Sequence, residues 1–454
     1  MRSKVRKFGL AIRPAFMRRI SSLPQGFLAI AILFTTLGSL PAAEDGFTSL
    51  FDGKTLKGWT LVGKQGPGYA VKDGLLYCAK GGGGRLLTEK EYTNFVLRLE
   101  FKLEDGANNG IAIRVPLDGD AAYNGMEIQV LDDYAPKYAS LRPAQYHGSI
   151  YDVIPAKRGA LKKADEWNEE EIFADGRHIK VILNGQAIVD VNLNEVTDAK
   201  TLMRHPGLLR EHGRLGFLGH NDYVEFRNIR IRELPSKDQD NSPPEGFTAL
   251  FNGTDLTGWK GLLKSPNDNP IQRAALAPEQ RDKAQSEADE NMRAHWKAQN
   301  GEIIFDGKGR SLCTVKDYAD FELRVDWRIP PHADSGIYLR GSPQVQIWDP
   351  YTKPTRHGSE VGSGGLYNNK KNPSTPFKVA DKPVGEWNRF QVIMVGEKVH
   401  VFLNGELVVN ATTLENYWDY AKPIFAAGQI ELQNHGDQLC FKNIYIREIN
   451  QPRK

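Results

Sequence analysis

Cysteine is scarce in this chain of 454 residues, and several common catalytic motifs are absent. The three cysteines, Cys78, Cys313 and Cys440, are an odd number and include no C-x-x-C pair, which argues against a disulfide framework and against a cysteine metal site. Cys313 and Cys440 could pair, but we expect buried thiols. The sequence also lacks G-x-S-x-G, H-E-x-x-H and a phosphate loop, which excludes the enzyme classes that depend on those motifs.

An excess of charge of one sign is also missing. The 59 lysines and arginines nearly balance the 56 acidic residues, giving a net charge of +3 with the signs intermixed. No basic stripe alternates with aromatic residues, as it does in many nucleic-acid-binding surfaces. Nucleic acid is therefore not an expected partner.

The N-terminal segment carries a targeting signal rather than part of the fold. A start rich in arginine and lysine precedes an apolar stretch, Phe27 to Leu40, which is too short to span a membrane comfortably. Small residues follow at Ala42 and Ala43. This order predicts a signal peptide over residues 1–43, export to the periplasm or beyond, and no stable membrane anchor; an uncleaved N-terminal anchor is the alternative.

The rest of the chain is a tandem duplication. Residues 46–60 read G-F-T-S-L-F-D-G-K-T-L-K-G-W-T, residues 246–260 read G-F-T-A-L-F-N-G-T-D-L-T-G-W-K, and nine of the fifteen positions are identical. The tripeptides E-W-N and L-N-G also recur once in each half. Because the period is far too long for a solenoid, each copy must close its own core. We expect domains at 45–234 and 246–450, joined by a polar, proline-rich linker at 235–245.

Strand patterns dominate both copies. Residues 321–329 read F-E-L-R-V-D-W-R-I, which alternates apolar and charged residues as a half-buried antiparallel strand does. Asn184-Gly185 and Asn404-Gly405 lie between apolar strands and predict tight hairpins. A shift of parity near Asn228 and Asn443 indicates a bulge. The sequence therefore predicts an all-β protein of two tandem jelly-roll sandwiches.

One segment departs from this pattern. Residues 277–298 of the second copy are rich in helix formers, and the first copy has nothing that matches them. We expect a surface helix there, which either covers a sheet edge or forms a lid over a cleft.

Strand parity places a set of polar residues on one face. In each copy, apolar residues of two neighbouring strands face the core, so the polar residues between them face the other way. That face is a candidate sugar platform, with an ordinary solvated surface as the alternative. Its members are Arg114, Glu127, Gln129 and Asp132 in the first copy, and Tyr338, Arg340, Gln346, Trp348 and Asp349 in the second.

Histidine provides a second signal. His220 in G-H-N-D and His435 in N-H-G-D occupy the same repeat position just before the last strand, each followed two residues later by aspartate. A histidine beside a carboxylate is a candidate acid, base or ligand, or else a side chain that stabilises the turn. Tyr151 and Tyr367 also correspond and could bind sugar or pack.

A conventional glycosidase pair is not shared by the two copies. Glu127 of the first copy becomes Gln344 in the second, and neither copy has the E-x-D-x-x-E signature of laminarinase-type glucanases. Direct glycosidic cleavage by two carboxylates is therefore not predicted for both domains.

Taken together, the motifs resemble a known family. The chain is similar to the 3-keto-disaccharide hydrolase domain in G-F-x-x-L-F-[DN]-G-x-x-L-x-G-W, in [SN]-G-I-x-x-R, in E-I-Q-V-L-D or Q-V-Q-I-W-D, in E-W-N, and in the final H-x-x-x-x-x-F-[RK]-N-I-x-I-R-E. The resemblance covers both copies. It implies a concanavalin A-like jelly roll, export, and a role in carbohydrate breakdown.

The resemblance also implies a chemistry. A ketone at C3 of a sugar acidifies the proton on C2, so that a base can remove it and the group on C1 can leave; water then adds. Glu127 or His220 could be the base in the first copy, with Arg114 stabilising the enolate, and His435 and Arg340 would act in the second. A divalent cation held by Asp and His could stabilise the enolate instead. A carbohydrate-binding protein without catalysis is the alternative, since lectins share the fold.

Overall fold

A computed structural model describes residues 46–236, 239–356 and 358–449. The predicted signal peptide, residues 1–43, lies outside the described residues. Within the described part of the chain, no helix has the length and apolar composition needed to span a bilayer.

The first copy of the repeat forms a sandwich of two antiparallel sheets. One sheet has eight strands in the order β11-β10-β9-β6-β13-β4-β3, with β1 beside β13, and the other has five in the order β2-β5-β12-β7-β8. The strands are β1 (Thr48–Ser49), β2 (Trp59–Gln65), β3 (Tyr69–Lys72), β4 (Leu75–Cys78), β5 (Gly83–Tyr92), β6 (Phe95–Leu103), β7 (Asn108–Val115), β8 (Met126–Leu131), β9 (Trp167–Asp175), β10 (His178–Leu183), β11 (Gln186–Asn192), β12 (Gly213–His220) and β13 (Val224–Glu233).

The second copy repeats this topology strand for strand. Its sheets run β16-β17-β26-β19-β22-β23-β24, with β14 beside β26, and β15-β18-β25-β20-β21. Two tandem jelly-roll sandwiches are therefore present, as predicted. The strands are β14 (Thr248–Ala249), β15 (Trp259–Gly261), β16 (Trp296–Gln299), β17 (Glu302–Phe305), β18 (Leu312–Thr314), β19 (Phe321–Arg328), β20 (Asp334–Leu339), β21 (Ser342–Trp348), β22 (Asn388–Val395), β23 (Lys398–Leu403), β24 (Glu406–Thr413), β25 (Glu431–Leu432) and β26 (Leu439–Glu448).

Local sequence accounts for much of this topology. Asn184 and Gly185 have φ angles of 49° and 82° between β10 and β11, the left-handed pair that a tight hairpin requires. Asn228 has a φ of 52°, and the pairing of β13 with β6 shifts register beside it, which confirms the bulge. Asn404 and Asn443 have the same conformation in the second copy.

Helices are few and short, apart from the insertion in the second copy. The α-helices are α1 (Ala121–Asn124), α2 (Ala199–Arg204), α3 (Pro270–Ala275) and α4 (Pro278–His295), and the 3-10 turns are Pro136–Tyr138, Pro143–Gln145, Leu193–Glu195, Pro206–Leu209 and Ser359–Val361.

Helix α4 covers the edge strand β15. The backbone N–H of Gly261 donates to the Asp289 carboxylate at 2.9 Å, and the Gln285 side-chain amide donates to the Gly261 carbonyl at the same distance. Side chains of the helix thus satisfy strand groups that would otherwise lie at an open sheet edge. This arrangement favours the edge-covering interpretation of the insertion over the lid.

Each copy closes a hydrophobic core, but the first core extends across the domain boundary. Ile393 and Phe402, on β22 and β23 of the second domain, are fully buried and belong to the same apolar cluster as the core of the first domain. All three cysteines are free thiols; Cys78 and Cys313 are buried, as expected, whereas Cys440 is half-buried, and Cys78 lies within this core. Burying two large side chains at the boundary stabilises the two-domain arrangement by a few kcal/mol.

A buried ionic network also crosses the boundary. Glu322 of the second domain has no exposed surface; it accepts hydrogen bonds from Arg447 at 2.7 Å and from Gln391 at 2.8 Å. Arg324, which also contacts Glu322, reaches Glu211 of the first domain at 2.5 Å. Because buried charges need partners, this network links the two domains energetically.

Candidate functional site

An open cleft of about 620 Å³ lies on the five-stranded sheet of the first domain. Strand β8 forms part of its floor, with Ile128 and Val130 turned into the core and the alternate residues turned into the cleft. Its polar lining includes Arg85, Asn108, Glu127, Gln129, Tyr138, Tyr151 and His220.

Glu127 and His220 form the ionisable pair of this cleft. The His220 Nε2 atom, at the end of β12, lies 3.7 Å from Glu127 Oε1. The carboxylate side chain is 5% exposed, whereas the imidazole is 48% exposed. The interaction with Glu127 raises the pKa of His220 above 6.5, although burial opposes the shift. The pair therefore places a buried carboxylate beside a half-exposed imidazole, and the raised pKa of that imidazole favours its protonated form.

The position of the Glu127 carboxylate depends on a glycine. A Cβ atom added at Gly110, on the neighbouring strand β7, would overlap the Glu127 side chain. The Oε1 atom of Glu127 is buried and has no hydrogen-bond partner among the described residues. A buried carboxylate oxygen without a hydrogen bond costs free energy unless a bound ligand or a proton interacts with it. Such unsatisfied buried atoms are typical of functional sites.

Gln129 and Tyr151 line the same cleft as this pair. The Gln145 side-chain amide donates to the Tyr151 hydroxyl at 3.2 Å, and the Gln129 amide donates to the Gln145 backbone oxygen at 3.4 Å. Gln129 Oε1 has no partner among the residues that the structure describes. Parity on β8 thus placed Glu127 and Gln129 together, and the fold adds His220 and Tyr151.

Arg114 lies away from the cleft. Its φ of 52° breaks the alternation of β7, so the parity argument that put Arg114 beside Glu127 fails here. The guanidinium is fully buried and donates to the backbone oxygens of Thr93, Gly176 and Arg210 at 2.7–3.3 Å. Burial lowers its pKa to about 10. These contacts describe an arginine that binds loops together.

Arg340 repeats this arrangement in the second domain. It has a φ of 54°, and it donates to the Ala319 and Phe425 backbone oxygens at 2.7 and 3.1 Å. Its remaining Nη atom contacts Asp320 at 2.8 Å. The two arginines therefore recur because they have the same structural role in both domains. Arg114 does not contact His220, and Arg340 does not contact His435.

Asp132 and Asp349 also face backbone rather than a cleft. Asp132 accepts from the N–H groups of Gly106 and Tyr134 at 2.8 and 3.1 Å. Asp349 likewise accepts from the backbone at 2.8–3.0 Å, and these bonds help to hold its pKa below the usual value despite burial. Both aspartates fix turns after the strands β8 and β21 instead of presenting oxygens to a sugar.

The predicted residues of the second domain fall into separate groups. His435 Nδ1 lies 3.6 Å from Asp334 Oδ2, and Gln346 donates to the other Asp334 oxygen at 2.7 Å. Trp348 is buried and donates to a backbone oxygen, while the ring of Tyr367 lies 5.5 Å from it, edge to face. The structure therefore brings Gln346 and His435 together through Asp334.

Tyr338 belongs to another part of the same sheet. Its hydroxyl accepts from the Gln433 side-chain amide at 3.3 Å, and burial raises its pKa. Pairing of β20 with β25 sets it beside Glu431, whose pKa burial raises to about 7. Tyr338 is thus a half-buried side chain, and its hydroxyl contacts Gln433 and not His435.

Sequence reasoning missed Gly110, Asn108 and Asp334. Repeat alignment through Gly110 and Gly336 matches Asn108 to Asp334, so the duplication held a signal for the last two. No group of three or more His, Cys, Asp or Glu side chains suited to a metal ion occurs within residues 46–236, 239–356 and 358–449. The divalent cation considered from the sequence stays a prediction.

Comparison with known proteins identifies similar chains. A curated relative from Bacteroides thetaiotaomicron named 3-keto-disaccharide hydrolase is 29% identical over 234 aligned positions, which cover 43% of this chain and 81% of the relative. A solved structure from Parabacteroides distasonis, provisionally named a glycosyl hydrolase, is 31% identical, with 41% of this chain and 99% of that chain covered and a TM-score of 0.38. The carbohydrate-binding module CBM66 from Bacillus subtilis is 16% identical, covering 39% and 96% of the two chains with a TM-score of 0.27.

The family comparison covers most of the chain. The model of the 3-keto-alpha-glucoside-1,2-lyase-like domain matches twice, at residues 46–232 and 246–447, which together exceed half of the sequence. Both matches coincide with the two sandwiches described above. The chain therefore belongs to the 3-keto-alpha-glucoside-1,2-lyase-like domain family, as a tandem pair of such domains.

Proposed function

We propose that the protein cleaves 3-keto glycosides and that the cleft of the first domain is a reaction site. The observation that carries the proposal is the Glu127–His220 pair. A buried carboxylate oxygen, which accepts no hydrogen bond from the described residues, lies 3.7 Å from a half-exposed imidazole of raised pKa. Membership of the family and the name of the curated relative support the substrate class.

The pair suits a proton transfer beside a ketone. Glu127 removes the proton from C2 of the sugar, and protonated His220 donates a hydrogen bond to the C3 oxygen as it becomes an enolate. When the C3 ketone re-forms, a C1–C2 double bond forms and the C1–O bond breaks. The leaving oxygen takes the proton from Glu127. Water then adds its hydroxyl at C1 and a proton at C2, so the overall reaction is hydrolysis.

The rest of the cleft supports binding of a sugar. Its volume of about 620 Å³ falls within the usual range of small-molecule sites, about 300–1,000 Å³. Gln129 and Tyr151 present an amide and a hydroxyl beside the ionisable pair. Since each of these groups can donate and accept, they are suited to the hydroxyls of a sugar ring.

A chromogenic 3-keto glucoside tests the proposal directly. The full-length protein is expected to release nitrophenol from the 3-keto form and to leave the unoxidised glucoside intact, because only the ketone acidifies the C2 proton. Glu127→Gln and His220→Gln should each lower turnover, whereas Glu89→Gln, an exposed acidic residue on β5, should not. Rapid cleavage of the unoxidised glucoside would favour a conventional glycosidase. Sugar binding without turnover would favour a lectin-like protein.

Export of the protein is a separate proposal. It depends on the basic and apolar residues within 1–43. N-terminal sequencing of protein from the periplasm or medium should find a chain that begins after Ala43. An intact N-terminus in the membrane fraction would point to an uncleaved anchor.

A further inference from the structure

The carboxylate of the second domain occupies a different position from that of the first domain. Where the first domain has Glu127 on β8, the second has Gln344 on β21, which cannot act as a base. At the start of the neighbouring strand, the second domain has Asp334 where the first has Asn108. Each domain therefore has one carboxylate at these two positions: Glu127 on β8 in the first domain and Asp334 on β20 in the second.

Asp334 contacts the histidine that corresponds to His220. His435 Nδ1 lies 3.6 Å from Asp334 Oδ2, close to the 3.7 Å between His220 Nε2 and Glu127 Oε1. The side chain of Asp334 is 11% exposed and that of His435 is 46% exposed. Both domains thus combine a largely buried acid with a half-exposed imidazole, although the imidazole turns a different nitrogen to its partner.

The fold holds Asp334 in place without using up its second oxygen. Its backbone N–H donates to Asp437 Oδ2 at 2.9 Å, just as the N–H of Asn108 donates to Asp222 Oδ2 at 3.0 Å in the first domain. Gln346 donates to Asp334 Oδ1 at 2.7 Å, which leaves Oδ2 for the imidazole. Gln344 donates in turn to Gln346.

Charge and burial near Asp334 suit a general base. Burial raises its pKa, while the charge of His435 opposes the shift, and a higher pKa makes a carboxylate a stronger base. A half-exposed guanidinium, that of Arg356, lies 3.2 Å from Asp437 Oδ2 and adds positive charge on the same side. Asp437 itself is 28% exposed and contributes the opposing negative charge.

An ion pair with a purely structural role fits these contacts less well. At 3.6 Å, the separation of His435 and Asp334 is longer than a hydrogen bond. No hydrogen bond to another described residue fixes the imidazole, so it contributes little to stability through such contacts.

We propose that the second domain carries its own acid–base site for 3-keto glycosides, with Asp334 as the base and His435 as the acid. The inference rests on the function proposed above. Asp334 would take the C2 proton while the His435 imidazole donates a hydrogen bond to the C3 oxygen. The C1–O bond then breaks, the leaving oxygen takes the proton from Asp334, and water adds across C1 and C2.

Full-length variants test this assignment with the nitrophenyl 3-keto glucoside. Glu127→Gln is expected to retain the activity of the second domain, and Glu127→Gln combined with Asp334→Asn should lower that remainder by about 10²-fold, the usual loss for a general base. Asp334→Glu in the same background should restore part of it. Asp317→Asn, at an exposed residue of the second domain, serves as the matched control and should leave the remainder unchanged.

Two outcomes would overturn the proposal, and they are distinguishable. If the wild type is active and Glu127→Gln already has the turnover of the double variant, the second site is not catalytic while the proposed function stands. If the wild type leaves the 3-keto glucoside intact, both proposals fail. Should the Asp334→Asn chain fail to fold, which thermal unfolding would reveal, His435→Gln in the Glu127→Gln background replaces it and must show the same loss.

Discussion

Glu322→Gln should destabilise the whole protein, because Glu322 is the anion of the network between the domains. Burial alone would raise its pKa, but Arg324, Arg447 and Arg177 overcome that effect and lower the pKa from 4.5 to about 2. Such a shift corresponds to roughly 3 kcal/mol of stabilisation of the charged form. Glutamine keeps the shape but leaves three buried guanidinium groups without this counter-charge, and removal of one partner of a buried pair typically costs about 3–5 kcal/mol.

Thermal unfolding followed by circular dichroism measures this effect. For domains of this size, each kcal/mol lowers Tm by about 2–4 °C, so the expected fall is roughly 6–20 °C. Glu233→Gln is the matched control, because Glu233 pairs with Lys90 at the surface, where such a pair is worth about 0–1 kcal/mol.

The pH dependence provides a second test of the same residue. A lowered pKa in the folded state gives stability that is present above pH 4.5 and lost as the pH falls through about 2. The wild type should therefore lose more stability than Glu322→Gln over that interval. A Glu322→Gln variant that unfolds within about 2 °C of Glu233→Gln at neutral pH would refute the reasoning.

Three further predictions concern the first domain. Gly110→Ala should lower kcat/KM for the 3-keto glucoside by displacing Glu127, with the Tm little changed. If His220 acts as the acid, kcat should fall as the pH rises through its raised pKa above 6.5. Arg114→Met should lower the free energy of unfolding by about 2–5 kcal/mol, and with it the Tm, because three backbone carbonyl groups lose their hydrogen-bond donor. The folded fraction should keep its kcat, as an active-site titration would show.

Each of these predictions has a result that contradicts it. Full activity in Gly110→Ala would mean that the position of Glu127 is unimportant. A kcat that rises with pH over the same range would make neutral His220 the base instead. Loss of kcat in a stably folded Arg114→Met variant would show that Arg114 contributes to catalysis.

Local chemistry in the sequence predicted most of the architecture. The asparagine–glycine pairs specify hairpins because both residues accept positive φ, and alternation along β8 turned Glu127 and Gln129 away from the core. These properties depend on a few neighbouring residues, so they can be read from one segment at a time. The duplication, visible without any structure, showed that His220 and His435 are equivalent.

Other features depended on residues that are distant in the chain. The parity prediction was wrong for Arg114 because its left-handed backbone conformation ends the alternation of side chains along the strand. The sequence does not show where an arginine adopts that conformation. The repeat matches Asp334 to Asn108, but its relation to Glu127 depends on strand pairing. Glu127 on β8 contacts His220, and Asp334 on β20 contacts the equivalent His435.

The contact between the domains was decided by tertiary structure alone. Glu322 lies in an alternating strand whose charged face the sequence predicts to be solvated, yet that face is buried against the first domain. Parity states which side of a sheet a residue faces, but only packing decides what lies on that side. The sequence by itself therefore determined two jelly rolls and their equivalent histidines. The tertiary structure decided which carboxylate lies beside each histidine and which arginines surround Glu322, because these contacts join residues that are distant in the chain.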